Sequence, residues 1–561
     1  MQQGSYSKKE NLMLLSVQQL TISKPGFDIV SDLSFNLESS SSLGIVGESG
    51  SGKTLTGLSI LGLLPPSLTI KQGKLLFSRN GDQTDICQQS DDKMRELRGK
   101  HISMIFQEPM TALNPARTCG SQLSEIIQRF YNYNRNEIEE YAEVLLREVM
   151  IPSPSEALKK YPHQMSGGQR QRIMIAMAIA AKPELLIADE PTTALDVTVQ
   201  KEILRLLKQL QEKFNMGMLF ISHDLGVVKQ VSDNVLVMRQ GRMIEYGSAS
   251  EILRNPKNNY TKLLIACKPK LEGNPEILPT IENVTTNVDT FFSEKPSIDY
   301  KTELLKVENL SVIYHSGSMF DSTNKQFKAL DNVSVEIFKN ETIGLVGESG
   351  CGKTTLGRTI MRLIEQTNGN VFFEGQNISH IHGKGLKELK RKIQYIFQDP
   401  YSSLNPHMTI LEAIAEPIVV HNILSSTKEI NSRVTEILLQ VGLSTDFLRR
   451  YPHQLSGGQR QRIVIARALS LEPELIICDE SVAALDVSVQ AQVLNLLNRL
   501  KKQHNLSLLF ISHDLSVVKY MSDRVYVMRN GSIIEHGKSD ELYNQPQSDY
   551  TRQLIEAIPE I

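Results

Sequence analysis

One eight-residue stretch occurs twice, 300 residues apart: Gly47-Glu48-Ser49-Gly50-Ser51-Gly52-Lys53-Thr54 and Gly347-Glu348-Ser349-Gly350-Cys351-Gly352-Lys353-Thr354. The first follows the apolar run Leu43-Gly44-Ile45-Val46 and precedes a helix-like run from Leu55 to Leu61. Strand, glycine-rich turn and helix form the context in which G-x-x-x-x-G-K-[ST] binds phosphate. Its glycines let backbone N–H groups converge on phosphate oxygens, and the helix N-terminus adds partial positive charge. Lys53 and Lys353 can reach the outer phosphates, while the Thr54 and Thr354 hydroxyls can ligate Mg²⁺. A lone match could be an ordinary glycine turn; a second copy in a second half argues for function.

The halves form an internal repeat throughout. Leu14-Leu15-Ser16-Val17 and Leu304-Leu305-Lys306-Val307 open the copies as strands. Gln107 and Gln398 are 291 apart, and from Ser166 and Ser456 onward the offset is 290. The slippage lies mainly between phosphate loop and glutamine, where the first copy carries the polar stretch Gly81 to Asp85, expected to be a surface loop. With 561 residues, at least two domains are required. We place them at 13–268 and 303–561, with 269–302 as a Pro-, Asn- and Thr-containing linker. That linker spans up to ~115 Å when extended and averages ~30 Å as a coil. Each domain has a radius of gyration of ~18 Å, so the linker lets the halves meet within one chain.

Composition excludes several classes. A net charge of −2 gives no basis for bulk nucleic-acid binding. The basic cluster Lys387, Lys390, Arg391 and Lys392 reads as a solvated face. Five scattered cysteines without a CxxC pair suggest neither a disulfide framework nor a zinc or iron–sulfur site, and fit a reducing cytosol. Residues 1–11 lack the apolar core of a signal peptide. No run approaches the ~20 apolar residues of a membrane helix, so work at a membrane requires other chains to cross it.

Each half also has an apolar strand ending in acids, Leu185 to Glu190 and Leu475 to Glu480. Two adjacent carboxylates at a buried strand end are costly unless they meet a cation or a reacting water. Asp189 and Asp479 suit Mg²⁺, and Glu190 and Glu480 suit the water that attacks a γ-phosphate. Tyr161-Pro162-His163-Gln164-Met165-Ser166-Gly167-Gly168-Gln169 and Tyr451-Pro452-His453-Gln454-Leu455-Ser456-Gly457-Gly458-Gln459 precede long helical runs. A Ser-Gly-Gly turn there is an anion site or a plain N-cap. Two phosphate-seeking turns per half is one more than a single nucleotide needs.

In this order, the phosphate loop, Gln107 or Gln398, Ser-Gly-Gly-Gln, the Asp-Glu strand, Ala-Leu-Asp (194–196; 484–486) and Ile-Ser-His-Asp resemble ABC-transporter ATPase domains. The resemblance covers nearly the whole chain, twice. It implies an α/β fold: two tandem P-loop ATPase domains, each a RecA-like core with an antiparallel β subdomain and a helical signature subdomain. In this family two domains dock head to tail around ATP and Mg²⁺. One site would join Lys53 to Ser456 and Gly458, the other Lys353 to Ser166 and Gly168, with the partner domain at an effective concentration of order millimolar. His223 and His513 resemble the switch histidines, and Gln107 and Gln398 the metal- and water-facing glutamines. Three departures stand out: Met165 for leucine, Ser481-Val482 where the first copy has Pro191-Thr192, and Lys24 where the second copy places an adenine-stacking Tyr314. Phe27 substitutes for that aromatic, or the first site binds ATP more weakly.

Local features resemble the oligopeptide/dipeptide importers: Phe106 to Pro115, Phe397 to Pro406, Tyr-Pro-His-Gln, and the tails Tyr260-Thr261-Lys262-Leu263-Leu264 and Tyr550-Thr551-Arg552-Gln553-Leu554. The usual His-Pro before the tail tyrosine is absent, and Cys267 alone cannot make the cysteine cluster of many members, so no iron–sulfur cluster is expected. The implied machine holds two permease chains and an extracytoplasmic binding protein, with this chain peripheral on the cytoplasmic face of the plasma (inner) membrane. Phe106, Met110, Leu113, Phe397, Tyr401 and Leu404 line a permease-coupling groove or are core residues. The alternative is a translation-associated tandem ATPase, although those carry a charged helical linker.

Overall fold

The computed structural model describes residues 12–558 apart from 80, 109–111, 194, 272, 274, 282–297, 317–324 and 484. The chain forms two compact units, one built from residues 12–195 and Val199–Ile265 and the other from Asp196–Thr198 and Ala266–Ile558. Each contains one four-stranded and one six-stranded sheet.

In the first unit, β1 (Met13–Lys24), β2 (Phe27–Glu38), β4 (Thr69–Arg79) and β5 (Asp82–Asp85) form an antiparallel sheet in the order β2-β1-β4-β5. The polar stretch expected to be a loop therefore supplies β5, whose Asp82 and Asp85 pair with Arg79 and Leu76 across a tight hairpin. The turn at Gly81, with φ near 90°, makes this possible. Apolar residues of β1 alternate into a core of Leu15, Val17, Leu20 and Ile22, all buried.

The six-stranded sheet has the order β10-β9-β3-β8-β7-β6. Its members are β3 (Ser42–Val46), β6 (Ile102–Ile105), β7 (Leu185–Asp189), β8 (Gly217–Ser222), β9 (Asn234–Arg239) and β10 (Arg242–Ser248). All pairs are parallel except β9–β10. Strands β3, β7 and β8 are buried along their whole length, as a parallel sheet covered on both faces requires. A Cβ at Gly44 would lie 2.2 Å from Val228 Cγ1, so glycine lets the helix Leu225–Val231 lie directly on β3. Helices Cys119–Phe130, Arg135–Glu148, Pro154–Lys159 and Gly167–Ile179 form the helical subdomain between β6 and β7.

The second unit repeats this plan. β11 (Asp299–Ser316), β12 (Lys325–Lys339), β14 (Asn368–Phe373) and β15 (Gln376–Asn377) form the order β12-β11-β14-β15. β13 (Thr342–Val346), β16 (Ile393–Ile396), β17 (Leu475–Asp479), β18 (Ser507–Ile511), β19 (Arg524–Arg529) and β20 (Ser532–Lys538) form β16-β17-β18-β13-β19-β20. Part of the stretch read as linker is packed onto this unit. Leu278 is fully buried, its N–H donates to Asn495 Oδ1 at 2.9 Å, and Asn495 Nδ2 returns a bond to its carbonyl at 2.8 Å. Tyr520 donates to the Glu276 carbonyl at 2.8 Å.

Adjacent parallel strands β3, β8 and β7 all end at the same edge of the sheet. The phosphate loop follows β3, His223 follows β8, and Glu190 follows β7. Ligands of open α/β sheets bind beyond such carboxyl ends.

Candidate functional site

Strand ends and the two loops bring the predicted residues together within each unit. Gly52 and Gly352, at φ 95° and 110°, precede the helices Lys53–Ile60 and Lys353–Ile360 in a backbone conformation that L side chains rarely adopt. Lys53 Nζ donates to the carbonyls of Gly47 and Glu48 at 2.7 and 2.9 Å. Lys353 does the same to Gly347 and Glu348 at 2.7 and 2.8 Å. Both amines are thus curled under their own loops and largely buried.

Thr54 Oγ1 donates to Asp189 Oδ1 at 3.2 Å, and Thr354 Oγ1 to Asp479 Oδ1 at 3.1 Å. Hydroxyl and carboxylate oxygens side by side are the hard donors that Mg²⁺ takes. Burial pushes the Asp189 carboxyl up to about 6, aided by the charge of Glu190 and opposed by the Thr54 hydrogen bond and Lys53. Asp479 is raised for the same first reason.

Glu190 and Glu480 sit at φ 45° and 46°, a costly conformation for a side-chain-bearing residue outside glycine. Their N–H groups are fixed on Ile221 and Ile511 carbonyls, each at 2.9 Å. The Glu190 carboxylate accepts from Gln107 Nε2 at 3.1 Å and Thr193 Oγ1 at 3.0 Å, with His223 Nδ1 at 3.2 Å. Burial alone would raise its pKa, but the bond and charge of His223, with Lys53 and Thr193, hold it down at about 2. Glu480 accepts from Gln398 at 2.6 Å and faces His513 Nδ1 at 3.5 Å, and is likewise lowered against the effect of burial. In return, His513 is raised, Glu480 outweighing desolvation. An ionised, oriented carboxylate beside a phosphate loop is equipped to orient or deprotonate water.

Two neighbours escaped the sequence reading, and they make the sites unlike. Tyr395 on β16 donates to Asp479 Oδ2 at 2.7 Å, where β6 offers Met104. Thr193 bonds Glu190, where the second copy has Ala483. Neither strand composition nor spacing identifies Tyr395, because its reach depends on β16 lying beside β17.

The Ser-Gly-Gly turns start the helices Gly167–Ile179 and Gly457–Leu469. Ser166 and Gln169 form a reciprocal capping box, as do Ser456 and Gln459, so the N-cap geometry is present. A Cβ at Gly168 or Gly458 would lie 2.6 or 2.2 Å from Val199 or Val489 Cγ1, whereas Gly167 and Gly457 have room. Close helix packing therefore explains the second glycine, whereas a Cβ at the first would make an ordinary 3.6 Å contact with Leu195 or Leu485. Ala194 and Ala484 of the Ala-Leu-Asp motifs lie outside the described residues.

Tyr314 pairs across β11–β12 with Phe327, and both are exposed. The same register pairs Lys24 with Phe27, 60% exposed, with the ammonium 5.5 Å from the ring centroid. Phe27 is therefore an aromatic that the first unit presents at this strand pair. Of the six residues read as groove or core, Phe106, Phe397 and Tyr401 are exposed, the Arg460 guanidinium lying 3.6 Å from the Tyr401 ring centroid. Leu113 and Leu404 are core residues. Met110 lies outside the described residues. No helix among the described residues is long and apolar enough to cross a membrane.

The family model described as ABC transporter matches residues 30–193 and 330–483. That for the oligopeptide/dipeptide transporter C-terminal region matches 244–296 and 534–561. The glutathione import ATP-binding protein GsiA of Escherichia coli O157:H7 is 45% identical over 543 residues, covering 94% of this chain and 86% of that one. GsiA of Escherichia coli O6:H1 (strain CFT073) is 43% identical, covering 99% and 90%. A solved dimeric structure of the ATP-binding cassette MJ0796 in a post-hydrolysis state, bound to ADP and Pi, is 29% identical and covers 42% of this chain and 99% of that chain, with a TM-score of 0.39. This chain belongs to the ABC transporter ATPases, with two ATP-binding domains in tandem, each followed by an oligopeptide/dipeptide-type C-terminal region.

Proposed function

We propose that the chain is the ATP-hydrolysing motor of a membrane importer for glutathione or similarly short peptides. The observation that carries the motor reading is the strained Glu190 and Glu480, each held by a glutamine and a histidine beside a phosphate loop. Similarity to glutathione import ATP-binding proteins over nearly the whole chain supports the choice of solute. It favours an importer over a translation factor.

In this reading the loops 47–54 and 347–354 bind the phosphates of ATP, and Phe27 and Tyr314 stack on adenine. Glu190 and Glu480 orient or deprotonate the attacking water, with His223 and His513 facing the γ-phosphate. Thr54 with Asp189, and Thr354 with Asp479, hold Mg²⁺. Gln107 and Gln398 add an amide oxygen, since their amide nitrogens are spent on the glutamates. Bound Mg²⁺ neutralises charge on the β- and γ-phosphates. The surplus anion turns at Ser166-Gly167-Gly168 and Ser456-Gly457-Gly458 are further phosphate-seeking elements of the motor. Two permease chains and an extracytoplasmic binding protein complete the machine, and the motor is peripheral at the cytoplasmic face of the inner membrane.

The test is ATP-dependent uptake into vesicles containing the chain, its permeases and its binding protein. Radiolabelled glutathione and a dipeptide serve as probes. Uptake of either supports the reading. Absence of uptake together with co-sedimentation of the chain with ribosomes overturns it in favour of the translation factor.

A further inference from the structure

The C-terminal tails contain a contact that the catalytic reading leaves unused. In the first unit the tail helix Asn259–Ala266 carries Tyr260, which is buried. Its hydroxyl accepts the backbone N–H of Glu48, the second residue of the phosphate loop, at 3.4 Å. The Arg239 guanidinium, from the end of β9, lies 4.9 Å from the ring centroid. The second unit builds the same arrangement from different neighbours. Tyr550, in the helix Asp549–Glu556, accepts the Glu348 N–H at 3.2 Å, and Arg529 lies 4.6 Å from its ring.

The residues that fix each tail differ, yet the outcome is the same. Asn258 Oδ1 accepts the Tyr260 N–H at 2.8 Å, whereas Ser548 Oγ accepts that of Tyr550 at 3.2 Å. Each tail turn is also pinned by a carboxylate from the edge strand: Glu245 takes the Lys257 and Asn258 N–H groups, and Glu535 those of Gln547 and Ser548. Chain segments more than 200 residues from the phosphate loop therefore converge on the same loop amide twice.

That amide sits at the entrance of the loop, ahead of the N–H groups around the glycines that cradle phosphate. Fixing it from outside the nucleotide pocket limits the conformations the empty loop can take, and a preorganised loop loses less freedom when ATP arrives. Burial pushes the Tyr550 hydroxyl above its ordinary value, so it stays a neutral phenol able to accept the N–H.

We propose that Tyr260 and Tyr550 are positioning residues through which the C-terminal tails hold the phosphate loops ready for ATP. The proposal rests on ATP binding at loops 47–54 and 347–354, and is independent of which solute is carried. Full-length Tyr260→Phe, Tyr550→Phe and the double variant keep the ring and its arginine and remove only the hydroxyl. Expected is a rise in the MgATP dissociation constant and KM of about threefold to tenfold, the scale of one neutral hydrogen bond. Amide exchange over 47–50 and 347–350 in the nucleotide-free chain should accelerate, with kcat at saturating ATP and the thermal midpoint unchanged. Unchanged affinity and exchange would overturn the proposal. So would an affinity loss that tracks a lower thermal midpoint, which would make the tyrosines packing residues only. Failure of the unmodified chain to bind MgATP would instead overturn the site itself, a result visible before any variant is compared.

Discussion

Tyr395 donates a 2.7 Å hydrogen bond to Asp479 Oδ2, and at the matching place in the first unit stands Met104. Asp479 is thereby held by two hydroxyls, Thr354 and Tyr395, where among the described residues Asp189 accepts one hydroxyl, that of Thr54. Removing a donor from a buried carboxylate leaves an oxygen without compensation, at about 1.5–3 kcal/mol. Tyr395→Phe should lower the stability of the second unit by about that amount, read from amide exchange in β17 and β18. Exchange in β7 and β8 should not change.

Glu190→Gln with Glu480→Gln should leave MgATP binding intact and lower turnover by about 10²–10⁴-fold, the scale of a lost general base. Normal turnover in the double variant would remove both glutamates from the chemistry. The single variants should differ in degree, because Glu190 has the Thr193 hydroxyl and Glu480 has Ala483 in that place.

Burial places the Asp189 pKa at about 6 against an ordinary 3.8, so its ionisation costs folding free energy. That cost begins as pH rises above 3.8 and is complete above about 6. Asp189→Asn should therefore stabilise the nucleotide- and metal-free chain at pH 7.5 by up to about 3 kcal/mol, and give no gain near pH 3.5. Glu190 behaves in the opposite sense. Its pKa is held down to about 2 from 4.5, so its stabilising contribution is present above pH 4.5 and fades as pH falls toward 2. Denaturation midpoints of Asp189→Asn and of Glu190→Gln, each against the unmodified chain across this range, check the two signs.

Phe27→Ala should weaken ATP binding at the first unit by roughly 1–3 kcal/mol, the worth of one base–aromatic stack. Tyr314→Ala should cost less at the second unit, because Phe327 stands exposed directly across the strand pair. Titration with a fluorescent ATP analogue measures both. Equal losses would make Tyr314 the sole platform of its unit.

The tandem architecture and most of the site were legible in the chain because their chemistry is local. A phosphate loop needs its glycines, lysine and hydroxyl within eight consecutive positions, and the Asp-Glu pair needs a buried strand immediately before it. The polar stretch after Gly81 misled because its side chains are those of a loop, while Gly81 at positive φ lets the backbone pair as β5. Leu113 and Leu404 could not be separated from the exposed Phe106, Phe397 and Tyr401 by composition, since an apolar residue in a loop serves core and surface alike.

By itself, then, the sequence determined the repeat, the α/β class, the nucleotide chemistry and the importer-type tails. Tertiary structure alone decided which distant side chains reach the site. Tyr395 meets Asp479 because β16 lies beside β17, and Tyr260 meets Glu48 because the tail folds back across the sheet. It also set the backbone of Glu190 and Glu480 at positive φ, where each N–H is tied to the neighbouring strand. Such contacts depend on strand order and register, which no short segment encodes, because their energy comes from pairing across the whole sheet.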